Sequence, residues 1–184
     1  MNKSQLEKQQ DQWDHPHLGE LVLSTQQIEE GVEIVATKLN KQFTDAVVIS
    51  VVPGGIIYTA DLVRKLTFEV SLDYISCPHT PGDRNNTSAI VYHNNIDLTD
   101  RHVIVVDDAI ESGGTMKRLI QHLADNYEVK SLSIATLFVK PSRVFIDATQ
   151  YFAYEMTNDD LLVGYGLPWQ DKLRNVPFIS KVAK

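Results

Sequence analysis

The pattern of apolar positions first predicts a helix near the amino terminus. Over residues 26–43, apolar side chains recur about every 3.6 residues, which is the repeat of an amphipathic helix. The preceding Ser24 and the nearby Gln27 have the spacing of a capping box, which marks where such a helix begins. The apolar stripe indicates packing in a core, and its members are Ile28, Val32, Val35, Leu39 and Phe43.

Two later segments share the order strand, glycine turn and helix. Residues 46–52 are almost all β-branched or small and apolar, as in a strand covered on both faces of a parallel sheet. A Pro-Gly-Gly turn at residues 53–55 separates this strand from a helix predicted over residues 56–66. Residues 103–106 form a second buried strand, and the turn at 107–115 follows it. The next predicted helix carries an apolar stripe of Met116, Leu119, Ile120 and Leu123.

Alternation of strands and helices predicts an α/β fold with a mainly parallel central sheet and right-handed crossovers. No internal repeat or linker divides the chain, so we expect a single domain over residues 1–184. The polar residues 1–17 are expected to form a loosely held arm, whose His15 and His17 are more typical of exposed side chains than of a metal site. Further strands are predicted at residues 68–75, 89–93, 132–139, 151–156 and 161–163.

Charge and composition narrow the possible functions. Seventeen Lys and Arg residues oppose 24 Asp and Glu residues, with no basic tract, which disfavours binding to nucleic acid. No apolar run approaches the about 20 residues needed to cross a bilayer, and the amino terminus lacks an apolar signal core, so we expect a cytoplasmic protein without membrane association. Small phosphorylated ligands remain compatible with this charge, because backbone N–H groups and a divalent cation can bind phosphate.

Residues 77–88 concentrate turn-forming residues without any periodicity. A structureless segment of this length inside a compact domain is often a lid or a binding loop. An ordinary connecting loop is an equally good interpretation of the pattern.

The chemistry is concentrated where the strand at 103–106 ends. Asp107 and Asp108 follow it directly, and the small residues of the 112–115 turn then lead into a helix, whose amino terminus favours an anion. Carboxylates beside a phosphate need another contact, such as sugar hydroxyls, Mg²⁺ or a developing cation. The segment therefore indicates a sugar-phosphate site. The alternative is a glycine turn that only begins a helix, with solvated acids beside it.

Residues 103–115, VIVVDDAIESGGT, resemble the phosphoribosyl diphosphate (PRPP) motif of type I phosphoribosyltransferases. Residues 51–66 resemble the diphosphate loop and following helix of hypoxanthine-guanine phosphoribosyltransferases, and TLFVKPSR at 136–143 resembles their purine-lysine segment. LLVGYGL at 161–167 and LRNVPFISKV at 173–182 resemble their carboxyl-terminal portion, so the similarity extends over residues 20–182. It implies the type I phosphoribosyltransferase fold, in which a small hood formed by amino- and carboxyl-terminal segments accompanies the sheet and its flanking helices.

The resemblance also implies a reaction, in which a purine salvage enzyme transfers the 5-phosphoribosyl group of PRPP to hypoxanthine or guanine and releases diphosphate. Mg²⁺ would be the cofactor, held through Asp107 and Asp108 by way of the ribose and diphosphate, and Glu111 would be the catalytic base. The ribose-phosphate site would comprise Asp107, Asp108, Glu111, Ser112, Gly113, Gly114 and Thr115. The diphosphate site would comprise Gly54, Gly55 and Arg174, and the purine site Lys140, Ile110, Leu161 and Leu162.

Several positions depart from the family pattern. Glu111 stands where an aspartate is usual, and Pro168 stands where many members have an aspartate that helps to hold a second metal ion. Leu161 replaces a stacking aromatic residue, and Pro53 replaces a frequent lysine. The 77–88 loop also lacks the expected Ser-Tyr pair. These differences leave the purine affinity and the number of Mg²⁺ ions open.

Two other functions fit the same motifs. One is a PRPP-binding regulator on this fold without transferase activity, and the other is a transferase that prefers xanthine or a different 6-oxopurine. The expected partners are PRPP and a 6-oxopurine base, and the resemblance implies a homodimer or homotetramer.

Overall fold

A computed structural model describes residues 13–77 and 88–183 of the chain. Its first helix, α1, spans Thr25–Gln42 and begins with the predicted capping box. The Gln27 N–H donates to Ser24 Oγ at 3.2 Å, and the Ser24 N–H donates to Gln27 Oε1 at 3.0 Å. These two bonds satisfy backbone groups that an uncapped helix leaves without partners.

The centre of the molecule is a five-stranded parallel sheet in the order β3-β2-β4-β5-β6. Helix α2 spans Ile56–Val63 and helix α3 spans Gly114–Asn126. The strands of this sheet are β2 (Asp45–Val52), β3 (Glu69–Ser76), β4 (His102–Ile110), β5 (Ser131–Val139) and β6 (Thr149–Glu155). The predicted α/β fold with a parallel sheet flanked by helices is confirmed.

Each face of the sheet buries its own core, because successive strand side chains point to opposite faces. Val48 and Ile104 pack with α1 and α2, whereas Val47 and Val105 pack with α3. Coverage on both faces explains why β2, β4 and β5 are nearly continuous apolar runs.

A second, three-stranded antiparallel sheet joins the two ends of the chain and forms the hood. Its order is β1-β8-β7, with β1 at Leu18–Leu23, β7 at Leu162–Val163 and β8 at Ile179–Val182. Strand β1 directly follows the predicted arm. The His17 ring lies 5.3 Å from the Trp169 ring, and His17 O accepts the Ala183 N–H, so this end of the arm is held against the hood. Residues 1–12 of the arm lie outside the described residues.

Some predicted boundaries are wrong. Residues 89–93 do not form a strand, since Val91 makes only an isolated bridge with Ser76 while Ile90 and Tyr92 pack against the core. Strand β4 does not end at residue 106 but continues to Ile110, because β5 pairs with it as far as Val139. Helix α2 ends at residue 63, three residues earlier than predicted. In the two described ranges, no helix combines the length and apolar character needed to cross a membrane.

Candidate functional site

A pocket opens at the carboxyl ends of β2 and β4, which is where ligands bind in open α/β sheets. The hood closes its other side through Leu167, Pro168 and Arg174. Most of the predicted site residues line this pocket, namely Gly54, Asp107, Asp108, Ile110, Glu111, Ser112, Gly113, Thr115 and Arg174. Gly55, Gly114, Lys140, Leu161 and Leu162 lie outside its lining.

Asp107 and Asp108 place two carboxyl groups side by side in the pocket. Asp107 Oδ1 accepts the Asp108 N–H at 3.0 Å, and Asp108 Oδ1 accepts the Ala109 N–H at 2.8 Å. Burial first, and the neighbouring carboxylate second, raise the pKa of Asp107, and burial raises the pKa of Asp108 to about 6. The charge of Arg174 opposes both shifts. Two crowded carboxyl groups of this kind favour a bound cation or hydroxyl donors.

The turn after β4 lies at the same pocket, which Ser112, Gly113 and Thr115 line. Gly113 caps α3 in the left-handed conformation, with φ of 82°, which glycine adopts without steric cost. Helix α3 begins at Gly114, so its first N–H groups lack partners within the helix, and its dipole favours an anion. The Val144 N–H donates to Ser112 O at 2.9 Å and ties the turn to the segment after β5. The turn and the start of α3 therefore lie at the pocket beside the acidic pair, and phosphate binding there stays a prediction.

The glycine turn after β2 packs directly on β4. A Cβ on Gly55 would lie 2.8 Å from both Val106 O and Asp107 Cα, whereas a Cβ on Gly54 would lie 3.3 Å from a carboxylate oxygen of each aspartate. At position 55, only glycine allows the turn to approach these backbone atoms so closely. The turn thus lies against the acidic pair, and the preceding Val52–Pro53 peptide bond is cis.

Lys140 is buried beside the pocket and contacts Glu111. Only 5% of Lys140 is exposed. Its Nζ donates to Glu111 Oε1 and, at 2.9 Å, to Asp160 O. Ile110 O accepts the Lys140 N–H at 2.8 Å, which holds the ends of β4 and β5 together. The structure therefore pairs the proposed base with the proposed purine lysine.

The other predicted purine contacts differ in exposure. Leu161 is 54% exposed, whereas Leu162 is 4% exposed and belongs to the core that α1 and α2 cover. Ile110 is 1% exposed and lines the pocket. Leu161 is thus the accessible apolar side chain of this group.

Gly166 is a site residue that the sequence analysis missed. Its φ is 102°, and a Cβ there would lie 2.5 Å from Gly54 O and 2.6 Å from Asp108 Oδ2. Its carbonyl accepts a hydrogen bond from the Arg174 guanidinium, and its N–H donates to Arg174 O at 2.9 Å. Glycines at alternating positions 164 and 166 were the available signal, since such a pair indicates unusual backbone or close approach.

The donor set of the pocket is compatible with Mg²⁺. Carboxylate oxygens are the protein ligands that Mg²⁺ prefers, and it commonly binds through one or two of them together with substrate phosphates. Within the part of the chain that the structure describes, no three or more His, Cys, Asp and Glu side chains are grouped to hold a metal ion. Substrate oxygens and water would supply the remaining ligands.

Fold and site together define a phosphoribosyltransferase. Residues 20–169 match the family model of the phosphoribosyl transferase domain, which spans well over half of the 184 residues, and the chain belongs to this family. Within the family, the similar proteins are hypoxanthine-guanine phosphoribosyltransferases, which confirms the resemblance seen in the motifs.

Three relatives illustrate the similarity. The hypoxanthine-guanine phosphoribosyltransferase of Staphylococcus epidermidis is 25% identical over 170 residues, covering 90% of this chain and 94% of the relative. A crystal structure of the Bacillus anthracis hypoxanthine-guanine enzyme, with HEPES in its active site, is 32% identical with a TM-score of 0.81, covering 91% and 99% of the two chains. The Staphylococcus aureus hypoxanthine enzyme is 26% identical with a TM-score of 0.78, covering 90% and 92%.

Proposed function

We propose that this phosphoribosyltransferase acts in purine salvage, transferring the 5-phosphoribosyl group of PRPP to hypoxanthine or guanine to form IMP or GMP and diphosphate. The observation that carries the proposal is the Glu111–Lys140 pair: Glu111 lines, and Lys140 lies beside, a pocket built from an acidic pair and a helix amino terminus. One half of the pocket suits a sugar phosphate, and the other half suits a polar base.

The sugar-phosphate half combines three features. Backbone N–H groups of the 112–115 turn suit the 5′-phosphate, because they lie at the amino terminus of α3. The carboxyl groups of Asp107 and Asp108 suit the ribose hydroxyls as acceptors and place negative charge near the cation that develops at C1. Gly54, Gly55 and Arg174 surround the same carboxyl groups, where the diphosphate would lie.

The base half rests on the ammonium group of Lys140. An ammonium has three N–H donors and no acceptor. Glu111 and the Asp160 carbonyl occupy two of these donors among the described residues, which leaves one for a purine oxygen. A donor at this position favours the 6-oxo group of hypoxanthine or guanine and disfavours the 6-amino group of adenine. Glu111 would accept the proton of the purine ring nitrogen as it attacks C1.

We propose that Mg²⁺ is the cofactor of this reaction. When bound, it would neutralise the leaving diphosphate. Asp107 and Asp108 are the residues that would hold it, by way of the ribose and diphosphate oxygens. Titration calorimetry should detect PRPP binding with Mg²⁺ and much weaker binding when EDTA replaces it, whereas equal affinities would contradict this part of the proposal.

We further propose a cytoplasmic homodimer or homotetramer. The support is the resemblance alone, and sedimentation equilibrium at several protein concentrations would measure the assembly. A monomer at micromolar concentration would contradict it.

The transferase proposal is tested by mixing purified protein, Mg²⁺ and PRPP with separate bases. We expect nucleotide and free diphosphate with hypoxanthine or guanine, and neither product with adenine or uracil. A higher kcat/KM for xanthine would assign a different 6-oxopurine. PRPP binding without turnover of any base would instead indicate a regulator, although the relatives are named transferases.

A further inference from the structure

Residues 164–176, here called the hood loop, pass across the pocket from the hood side. Their backbone forms a ladder in which Tyr165 N–H donates to Val176 O at 2.8 Å and Gly166 N–H donates to Arg174 O at 2.9 Å. Gly166 lies against both Gly54 O and the Asp108 carboxylate, so the loop covers the acidic pair and the glycine turn at once. Its position therefore determines the distance between Arg174 and the rest of the pocket.

A side-chain hydrogen bond joins this loop to helix α2 beside the glycine turn. Tyr165 is 5% exposed, and its hydroxyl donates to Asp61 Oδ2 at 2.6 Å. Asp61 lies in α2, the helix that begins directly after Gly54 and Gly55. The bond thus joins Tyr165, the residue before Gly166, to helix α2, which follows the glycine turn on the opposite side of the pocket.

A further contact and the protonation state of Tyr165 strengthen this bond. The Asp61 carboxylate also accepts a hydrogen bond from Arg64 in the next turn of the chain, which orients it. Burial first, and the Asp61 carboxylate second, raise the pKa of Tyr165, so the hydroxyl keeps its proton and stays the donor at physiological pH. Hydrogen bonds to a charged acceptor are the stronger ones in proteins.

From this geometry we infer that Tyr165 and Asp61 are positioning residues, which hold the hood loop and Arg174 at the correct distance from Gly54 and Gly55 for the diphosphate of PRPP. Neither side chain lines the pocket, so both act through the backbone of the loop and helix that they join. The inference rests on the proposed function, since it takes PRPP as the ligand of the pocket.

The test is the affinity for PRPP with Mg²⁺, measured by calorimetry on Tyr165→Phe and on two Asp61 variants. Tyr165→Phe should raise the Kd for PRPP by roughly tenfold, the size expected for one lost hydrogen bond to a charged group. Asp61→Ala should do the same. Asp61→Asn should retain most of the affinity, because its amide oxygen can still accept from the tyrosine hydroxyl.

A matched control is Tyr154→Phe. Tyr154 also donates through its hydroxyl, to Gln27 O at 2.8 Å, but it lies on β6 and outside the pocket lining. Removing the Tyr154 hydroxyl should leave the Kd for PRPP within twofold of the wild-type value. Thermal unfolding of all variants establishes that the measured proteins are folded.

A second measurement separates positioning from general stabilisation. If Tyr165 acts through Arg174, then Tyr165→Phe in an Arg174→Ala background should change the Kd for PRPP by less than twofold. A tenfold effect in both backgrounds would overturn the inference, and so would a Tyr165→Phe protein that binds PRPP like the wild type. Wild-type protein that binds PRPP, loses affinity in Tyr165→Phe and yet uses no purine would overturn the proposed function and support this inference.

Discussion

Replacing Gly55 with alanine tests the close packing of the glycine turn on β4. The Gly55 backbone has φ of −70° and ψ of −5°, which alanine adopts readily, so any penalty must come from the added methyl group. That methyl would lie 2.8 Å from Val106 O and Asp107 Cα. Both are backbone atoms of β4, and the pairing of Val106 and Asp107 with β5 prevents them from moving aside.

The expected loss of stability follows from two opposing contributions. Overpacking of a dense interior costs about 1–3 kcal/mol. Replacing glycine with alanine at a compatible conformation stabilises the folded state by about 0.4–1 kcal/mol, because the unfolded chain loses freedom. The net loss is therefore about 1–2 kcal/mol, which lowers Tm by about 2–8 °C for a chain of this length.

Gly54→Ala is the matched control. Its methyl group would meet carboxylate oxygens of Asp107 and Asp108 at 3.3 Å, and these side-chain atoms need to shift by only a few tenths of an ångström. We expect its Tm to stay within about 2 °C of the wild-type value, which corresponds to a change of about 0.5 kcal/mol in the free energy of unfolding. PRPP affinity should nevertheless fall, because the carboxyl groups are displaced. Calorimetric or circular-dichroism melting measures both variants, and a Gly55→Ala protein at least as stable as Gly54→Ala would refute the reasoning.

Three further predictions concern the polar groups of the pocket. Lys140→Met should lower kcat/KM for the purine by about tenfold to a hundredfold, the loss of a charged hydrogen bond, with the Kd for PRPP within twofold. Lys38→Met, at an exposed position on α1, is its control, and equal losses for purine and PRPP would contradict the assignment. Glu111→Gln should lower kcat while PRPP affinity is largely retained, and an unchanged rate would place the base elsewhere. Burial raises the pKa of Asp108 to about 6 from an ordinary value near 3.8, so the folded state binds the proton more tightly than the unfolded state does. The contribution of Asp108 to the free energy of unfolding therefore falls as the pH rises from 4 to 7. The free energy of unfolding of Asp108→Asn minus that of wild type should therefore increase over this range in urea titrations, and a constant difference would show that Asp108 is not buried as described.

Local patterns in the sequence determined most of the strands and helices of the central parallel sheet. Helix α1 and its cap follow from side chains that meet within a few residues, and the strand runs at β2, β4 and β5 follow from burial on both faces. The acidic pair and the glycine turn were found for the same reason, since a strand, its terminal residues and the following helix are contiguous in the chain. The segment at 89–93 shows the limit of such patterns, because its Ile90, Val91 and Tyr92 are residue types that favour strands but it lacks a partner strand along its length.

Only the tertiary structure decided how distant segments meet in the site. Lys140 and Glu111 are 29 positions apart, and Tyr165 and Asp61 are 104 positions apart. The hood requires β1 and β8 to pair from opposite ends of the chain, and Gly166 must be glycine because Gly54 and Asp108 lie against it. A periodicity reports which face of an element is buried, but not which remote residue covers that face. For this reason the sequence predicted the position of the acidic pair and of the turn before α3, whereas the pairing of Lys140 with Glu111 and the position of the hood loop emerged only from the folded chain.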